Sequence, residues 1–249
     1  MCSEEVIKYG LIGKTLGHSF SKSFFNEKFD SSKITAIYEN IELEDEEALK
    51  KWMNDHLFEY KGLNVTIPYK ETVLPLLDEL SDEVKAVGAV NTILINNGKT
   101  IGYNTDVYGF RQAIKPFFRN VHERALILGT GGASKAVAYV LKNLGVSVSY
   151  LSRNPKNDNE FHYNQANEVM VNAFKMIVNC TPVGMFPDVE QTPDFPIDLV
   201  GEDHLVIDLI YNPQETIFLK QAREHGADIL NGLSMLQHQA IKAWEIWNA

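Results

Sequence analysis

Twice along this chain a short apolar run gives way to a helix-like stretch and then to another apolar run. That alternation restricts it to layered α/β folds with parallel strands. In the first series strands are expected over 6–12, 35–41 and 62–67, with helices over 21–29 and 44–56 between them. Two helical pieces are expected within 70–87. Residues 89–95 and 100–103 read as a hairpin, because Asn96-Asn97-Gly98 tolerates the positive φ of a tight turn. A helix over 106–118 is expected to join this half to the next. The second series has strands over 125–128, 147–151, 176–179, 205–209 and 228–230, and helices over 134–144, 214–224 and 232–247. Ligands are expected beyond the carboxyl ends of strands connected in this way.

A length of 249 residues allows one large α/β domain or two smaller ones. No apolar run approaches the roughly 18–20 residues that span a bilayer, so no membrane partner is expected. The opening Met1-Cys2-Ser3-Glu4-Glu5 lacks the basic flank of a secretory signal, and a cytoplasmic protein is expected. A formal charge of −10 with no Lys/Arg cluster argues against nucleic-acid binding. Small anionic ligands remain open, because they need only a few local donors. The cysteines, Cys2 and Cys180, make no disulfide framework and no zinc spacing, so no metal is expected. Cys180 reads as an inert buried thiol.

Three segments carry chemistry. Gly62 to Lys70 is strand-like, holds polar Asn64 and Thr66 between apolar neighbours, and presents Lys70 just past Pro68. Gly102-Tyr103-Asn104-Thr105-Asp106 delivers a carboxylate before a helix. Gly129-Thr130-Gly131-Gly132-Ala133-Ser134 joins a strand to a helix, with backbone N–H groups at the helix start suited to a diphosphate. About 20 residues further on, where an NAD site carries an acidic residue, stands Ser152-Arg153-Asn154, followed by Lys156. A cation there suits a 2′-phosphate and favours NADP; a solvated basic loop beside an NAD site is the other reading. A lysine, an aspartate and a nucleotide loop suggest a redox enzyme, although Lys70 and Asp106 alone could be a surface ion pair.

Several motifs in order resemble the shikimate dehydrogenase family almost end to end: Gly17-His18-Ser19-Phe20-Ser21, Asn64 to Lys70, Gly88-Ala89-Val90-Asn91-Thr92, Asn104-Thr105-Asp106, the Gly129 loop, Asn179-Cys180-Thr181-Pro182-Val183-Gly184-Met185, and Gly232-Leu233-Ser234-Met235-Leu236-Gln237-His238-Gln239. The resemblance implies NADPH-linked reduction of 3-dehydroshikimate to shikimate in aromatic amino-acid biosynthesis. It implies two α/β domains flanking a cleft: a substrate domain over 1–105 completed by 232–249, and a Rossmann-type NADP-binding domain over 106–231, with the helix near Asp106 as a hinge.

Residue by residue, Lys70 and Asp106 match the catalytic pair. An unperturbed lysine titrates at about 10.4, which favours Lys70 as proton donor and electrostatic partner rather than base. Asp106 would orient it; which group moves the proton stays open. Ser19 and Ser21 match the hydroxyls that bind the substrate carboxylate, with an N-cap at Ser21 as the plain alternative. Thr66, Asn91 and Gln239 match ligands of the ring hydroxyls, and Tyr211 a tyrosine facing the reacting centre. Gly129, Thr130, Gly131, Gly132, Ala133, Ser152, Arg153, Asn154, Lys156, Thr181, Met185 and Gly232 match the cofactor site. His18 and His238 lie inside motifs whose neighbours carry the roles.

Lys22, Val107, Thr130 and Ser152 depart from the family's usual residues, and 154–172 is short enough to trim or remove an adenine-side helix. A monomer or homodimer is expected. Rival functions are a quinate/shikimate dehydrogenase with dual substrate or NAD use, and a ligand-sensing homologue without turnover.

Overall fold

The computed structural model describes residues 6–17 and 19–249, so His18 and the opening five residues lie outside the description. The chain divides into two compact units, one reaching to Thr105 and including Ala240–Ala249, the other Asp106–Gln239. The first unit begins with β1 (Ile7–Gly13), α1 (Phe20–Ser32), β2 (Ala36–Glu42), α2 (Glu46–His56) and β3 (Gly62–Val65). It continues through β4 (Glu79–Leu80), α3 (Asp82–Val87), β5 (Thr92–Asn96) and β6 (Lys99–Tyr103). The helices start where polar side chains take up orphan N–H groups. Ser19 caps α1 through Lys22 N, Asp45 caps α2 through Ala48 N, and Ser81 caps α3 through Val84 N. The N-cap of α1 is therefore Ser19, two residues before the Ser21 alternative.

The sheet order is β2-β1-β3-β5-β6-β4. β1 pairs parallel with β2 and β3, but β5 runs antiparallel to β3 and to β6, so the sheet is mixed rather than uniformly parallel. The β5–β6 hairpin turns through Asn97 and Gly98, both at positive φ. The stretch expected as two helical pieces holds a 3-10 helix at Leu74–Leu76 and the α-helix α3, with the two-residue β4 between them. Pro75 near the start of the first piece suits a short 3-10 helix.

The joining helix α4 (Thr105–Ile114) is shorter than expected. The second unit holds β7 (Arg124–Leu128), α5 (Gly132–Asn143), β8 (Ser147–Ser152), β9 (Glu160–His162), α6 (Glu168–Ala173), β10 (Met176–Asn179), β11 (Leu205–Asp208), α7 (Ile217–Glu224) and β12 (Asp228–Asn231). Its strands, in the order β12-β11-β10-β7-β8-β9, are all parallel. The central strands are apolar almost throughout because both faces are covered, and β7, β10 and β11 bury nearly every residue. Between β8 and β9 residues 153–159 hold no helix, although a parallel crossover ordinarily takes about a dozen residues. Glu160 braces this tight loop by accepting from Lys156 N at 2.9 Å and from the Asn157 amide.

The last helix, α8 (Leu233–Trp247), starts in the second unit and ends in the first. Ala240, Ala243 and Trp247 pack with Tyr9, Phe25, Phe29 and Tyr38. The alanines let the helix approach closely. Trp247 is 1% exposed and donates Nε1–H to the Ile93 carbonyl at 3.0 Å. Burial of this size is worth about 3–5 kcal/mol against truncation to alanine. At the start of α8, a Cβ on Gly232 would lie 1.9 Å from the Leu209 carbonyl oxygen, so the chain can pass there only as glycine. Gly232→Ala is expected to destabilise the protein by about 3 kcal/mol, seen as an earlier midpoint in denaturant unfolding.

Two histidines close similar turns at the amino ends of β7 and β11. His122 Nδ1 accepts from Arg119 N and His204 Nδ1 from Gly201 N, each at 3.0 Å. Each ring therefore carries its proton on Nε2. His204 passes it to the Val171 carbonyl at 3.0 Å, whereas buried His122 Nε2 finds no partner among the described residues. Burial, and then the charge of Arg119, hold the His122 pKa below the usual imidazole value. In the unfolded chain the ring titrates at about 6.5, so the stability it contributes is intact above that pH and is lost as pH falls through the lowered folded pKa. His122→Asn keeps an acceptor for Arg119 N and removes the titration. The gap between its thermal midpoint and that of the unaltered protein is expected to narrow between about pH 7.5 and about pH 5; a constant gap would exclude the linkage.

Candidate active site

Four chain segments meet at one edge of the first sheet. The loops after β1 and β3 leave from their carboxyl ends, antiparallel β5 begins there just after Asn91, and β6 delivers Asn104, Thr105 and Asp106. Thr66 N donates to the Ile12 carbonyl at 2.9 Å, and Lys14 N to the Ile67 carbonyl at 3.3 Å, which holds the two loops side by side. Ser19 is half-buried at its cap, and Ser21 is buried in the first turn of α1. Half-buried Lys70 accepts from Val90 N at 2.7 Å through its carbonyl, so the turn that carries it is fixed against the residue before Asn91.

Asn91 organises the edge. Its Oδ1 accepts from Thr105 N at 2.7 Å, which fixes the amide orientation, and its Nδ2 faces Thr105 Oγ1 at 3.0 Å. Thr92 Oγ1 lies 3.1 Å from both Asn91 Oδ1 and Thr105 Oγ1. Asn64 Nδ2 reaches the Asn91 carbonyl and Thr92 Oγ1, each at 3.1 Å, and Asn104 Nδ2 reaches the Ala89 carbonyl at 2.8 Å. These groups are almost fully buried, where each hydrogen bond is strong and each missing one costly. The network holds Thr105 in place immediately before Asp106, which is itself 6% exposed.

In the second sheet the strand order reverses between β7 and β10, and their carboxyl ends open the crevice where such sheets bind ligands. Gly129 leaves β7 with φ +94°, and a Cβ there would meet Thr181 Cγ2 of the loop after β10 at 2.9 Å. Exposed Thr130 and Gly131 follow. Gly131 would place a Cβ within 4 Å of nothing, and α5 starts on it without a side-chain cap. Open space over uncapped N–H groups fits a diphosphate, with Gly132 and Ala133 in the first turn. After β8, Arg153, Asn154 and Lys156 are exposed, while Ser152 is buried and takes the Asn154 N–H on its hydroxyl at 3.2 Å. A loop with cations outward and a closed inner turn fits a phosphate on the adenosine ribose.

Beside this crevice Asp208 gathers three donors that the sequence did not single out. It accepts Asn179 Nδ2 at 3.0 Å, Ile210 N at 3.1 Å and Thr216 Oγ1 at 2.7 Å. Burial pushes its pKa up to about 6 against the pull of those bonds. Asn179 Oδ1 in turn accepts the N–H and hydroxyl of Thr181, so one carboxylate sets the loops that lead to Thr181 and to half-buried Tyr211. A charged residue closing an apolar strand was its sequence signal. Cys180 lies between, its thiol pKa raised by burial. Met185 is exposed, and Gly232 is placed by its packing on Leu209. On α8 Gln239 is buried one turn after Met235 and donates to the Leu236 carbonyl at 3.0 Å; half-buried His238 meets Tyr108 edge-on.

Among the described residues no group of His, Cys, Asp and Glu could hold a metal ion, and no helix is long and apolar enough to cross a membrane.

Residues 11–93 match the family model described as the shikimate dehydrogenase substrate binding domain. A relative from Clostridium beijerinckii named shikimate dehydrogenase (NADP(+)) is 41% identical over 96% of this chain and 91% of its own length. The crystal structure of shikimate dehydrogenase from Aquifex aeolicus superposes with a TM-score of 0.88 at 38% identity, covering 100% of this chain and 94% of that one. Quinate dehydrogenase from Corynebacterium glutamicum, solved with NAD, gives 0.86 at 31% identity over 97% and 93%. With likeness in sequence and in fold running through both units, the chain belongs to the shikimate dehydrogenase family.

Proposed function

We propose that the protein catalyses the NADP-linked interconversion of 3-dehydroshikimate and shikimate in aromatic amino-acid biosynthesis. The observation that carries this proposal is the tie from Lys70 through Val90 and Asn91 to Thr105, because it fixes both chain segments that bear the proposed catalytic pair. Residues 1–105 with the last helix, 232–249, form the substrate domain in this proposal, and 106–231 the NADP domain. Bound NADPH supplies the hydride. As it reaches the ketone carbon, negative charge develops on the oxygen; the Lys70 ammonium stabilises that charge and delivers the proton, and oxidation reverses both transfers. Asp106 orients Lys70 and accepts from a substrate hydroxyl. Ser19 and Ser21 bind the carboxylate; Thr66, Asn91 and Gln239 bind the ring hydroxyls, and Tyr211 faces the reacting centre.

Gly129, Thr130, Gly131, Gly132 and Ala133 cradle the diphosphate, and Arg153, flanked by Ser152, Asn154 and Lys156, takes the 2′-phosphate. Thr181, Met185 and Gly232 line the nicotinamide end. A formal charge of −10 supports a role without nucleic acid; in this proposal the protein works in the cytoplasm, as a monomer or homodimer.

Initial rates with shikimate or quinate and with NADP or NAD test the whole proposal. Shikimate with NADP is expected to dominate; a preference for quinate or NAD would move the protein toward the quinate dehydrogenase it also resembles. Arg153→Ala is expected to raise KM for NADP about 10-fold or more while leaving the NAD rate unchanged, as the loss of a charge-assisted phosphate contact requires. For Lys70→Ala, kcat is expected to fall about 100-fold or more, with KM for shikimate within about threefold, because the ammonium acts mainly as charge develops. A loss confined to KM would remove Lys70 from the chemical step.

A further inference from the structure

The segment that carries Ser19 and Ser21, both proposed for the substrate carboxylate, is tied to β2 at each end. Downstream, the Asn26 side chain on α1 bonds both backbone groups of Tyr38, accepting its N–H at 3.0 Å and donating to its carbonyl at 3.2 Å. Upstream, both backbone groups of Leu16 are taken by side chains of the same strand. Leu16 N donates to Glu42 Oε1 at 2.6 Å, and the Leu16 carbonyl accepts from Asn40 Nδ2 at 2.9 Å. Asn40 and Glu42 stand two residues apart, so they project from one face of β2 and close on one residue of the loop.

The two clamping groups are built differently. A carbonyl can only accept, so the Asn40 amide is oriented with Nδ2 on Leu16. Its Oδ1 is then buried with no partner among the described residues. A buried acceptor left unpaired costs stability, a cost that an apolar side chain at the same place would avoid. Glu42 is exposed at the end of its strand, yet its carboxylate makes a short, charge-assisted bond to Leu16 rather than turning wholly to water. The Leu16 side chain is 5% exposed. A Cβ on Gly13 would meet Leu16 Cδ2 at 2.6 Å and Thr66 Cγ2 at 2.7 Å, so the clamped residue shares the space over Gly13 with Thr66.

We propose that Asn40 and Glu42 are positioning residues for the carboxylate end of the substrate, acting through Leu16 on the entry to α1. The proposal rests on the assignment of Ser19 and Ser21 to the carboxylate. Leu16 precedes Ser19 by three residues, a link of at most about 10 Å even when fully extended, so fixing Leu16 in both backbone directions limits where Ser19 can stand. Without the clamp the loop keeps its apolar anchor but loses the direction in which it enters the helix. Binding must then order the loop before the hydroxyls meet the carboxylate, and that ordering weakens substrate affinity.

Steady-state constants of clamp variants test this. Glu42→Ala is expected to raise KM for shikimate about fivefold, the order of one net hydrogen bond, with kcat and KM for NADP within about twofold. Asn40→Ala is expected to do the same. Glu42→Gln keeps an oxygen for Leu16 N and is expected to restore KM to within about twofold of the unaltered protein. An unchanged KM in both alanine variants, a loss shared evenly by shikimate and NADP, or an equal loss in Glu42→Gln and Glu42→Ala would overturn the proposal. If neither Ser19→Ala nor Ser21→Ala raises KM for shikimate, it falls with the carboxylate assignment; if either does and the clamp variants do not, the clamp alone falls. Hydrogen exchange on the unaltered protein covers the case of an unstable variant. The Leu16 N–H is expected to be protected, and saturating shikimate to slow its exchange about threefold or more. Exchange at the rate of an unbonded amide, or a rate indifferent to shikimate, would overturn the proposal.

Discussion

The side-chain oxygen of Asn91, closed at 2.7 Å on the backbone N–H of Thr105, is the bond on which the first unit's working edge depends. Thr105 opens α4, so its N–H is one of the donors a helix leaves without an internal partner. Asn91 answers that need from a neighbouring strand rather than from within the helix. Having committed its oxygen, it turns its amide toward Thr105 Oγ1, and Thr92 and Asn64 fill the positions around it. A buried polar network satisfied this closely is rigid, because any member that rotates exposes several unpaired groups at once. Lys70, tied to Val90 by its own carbonyl, shares that rigidity up to its backbone, while its side chain stays half in solvent.

Asp208 does the corresponding work in the second unit by a different route. Three donors converge on one buried carboxylate, so the group stays useful only while it accepts. Through Thr216 it starts α7, and through Asn179 it shapes the turn at Thr181. In both units a single acceptor at a strand end defines several loops. Both therefore keep the proposed catalytic and cofactor residues on loops whose roots are fixed by buried polar groups at strand ends.

Much of this architecture was legible in the residues. The apolar runs around Leu126, Ile177 and Val206 read as strands of an alternating series, and Asn97-Gly98 as the turn of a hairpin. What failed to show were features set by tertiary partners. The antiparallel placement of β5 depends on pairing with β3, which no local pattern encodes, and β9 is three residues long. The cap read at Ser21 as the plain alternative falls to Ser19, which reaches the free N–H of Lys22 first. Tyr38 looks like one aromatic among many until its register beside Tyr9 and its reach to Asn64 are known. Asp208 stood out only as a charge at the end of an apolar run; Ile210 and Thr216 follow it closely, but Asn179 reaches it from the neighbouring strand, 29 residues away.

The loop of residues 153–159 has a wider consequence. A helix in that position would lay a wall of side chains along the adenosine end of a bound nucleotide; a tight turn braced by Glu160 offers exposed cations and little surface. With the cofactor placed as proposed, discrimination between the two nicotinamide cofactors depends on charge more than on shape. Charge acting across exposed groups is screened within about 8 Å at physiological ionic strength. The selectivity of such a site is a property of the medium as much as of the protein, sharp in dilute buffer and blunted in a salt-rich cell.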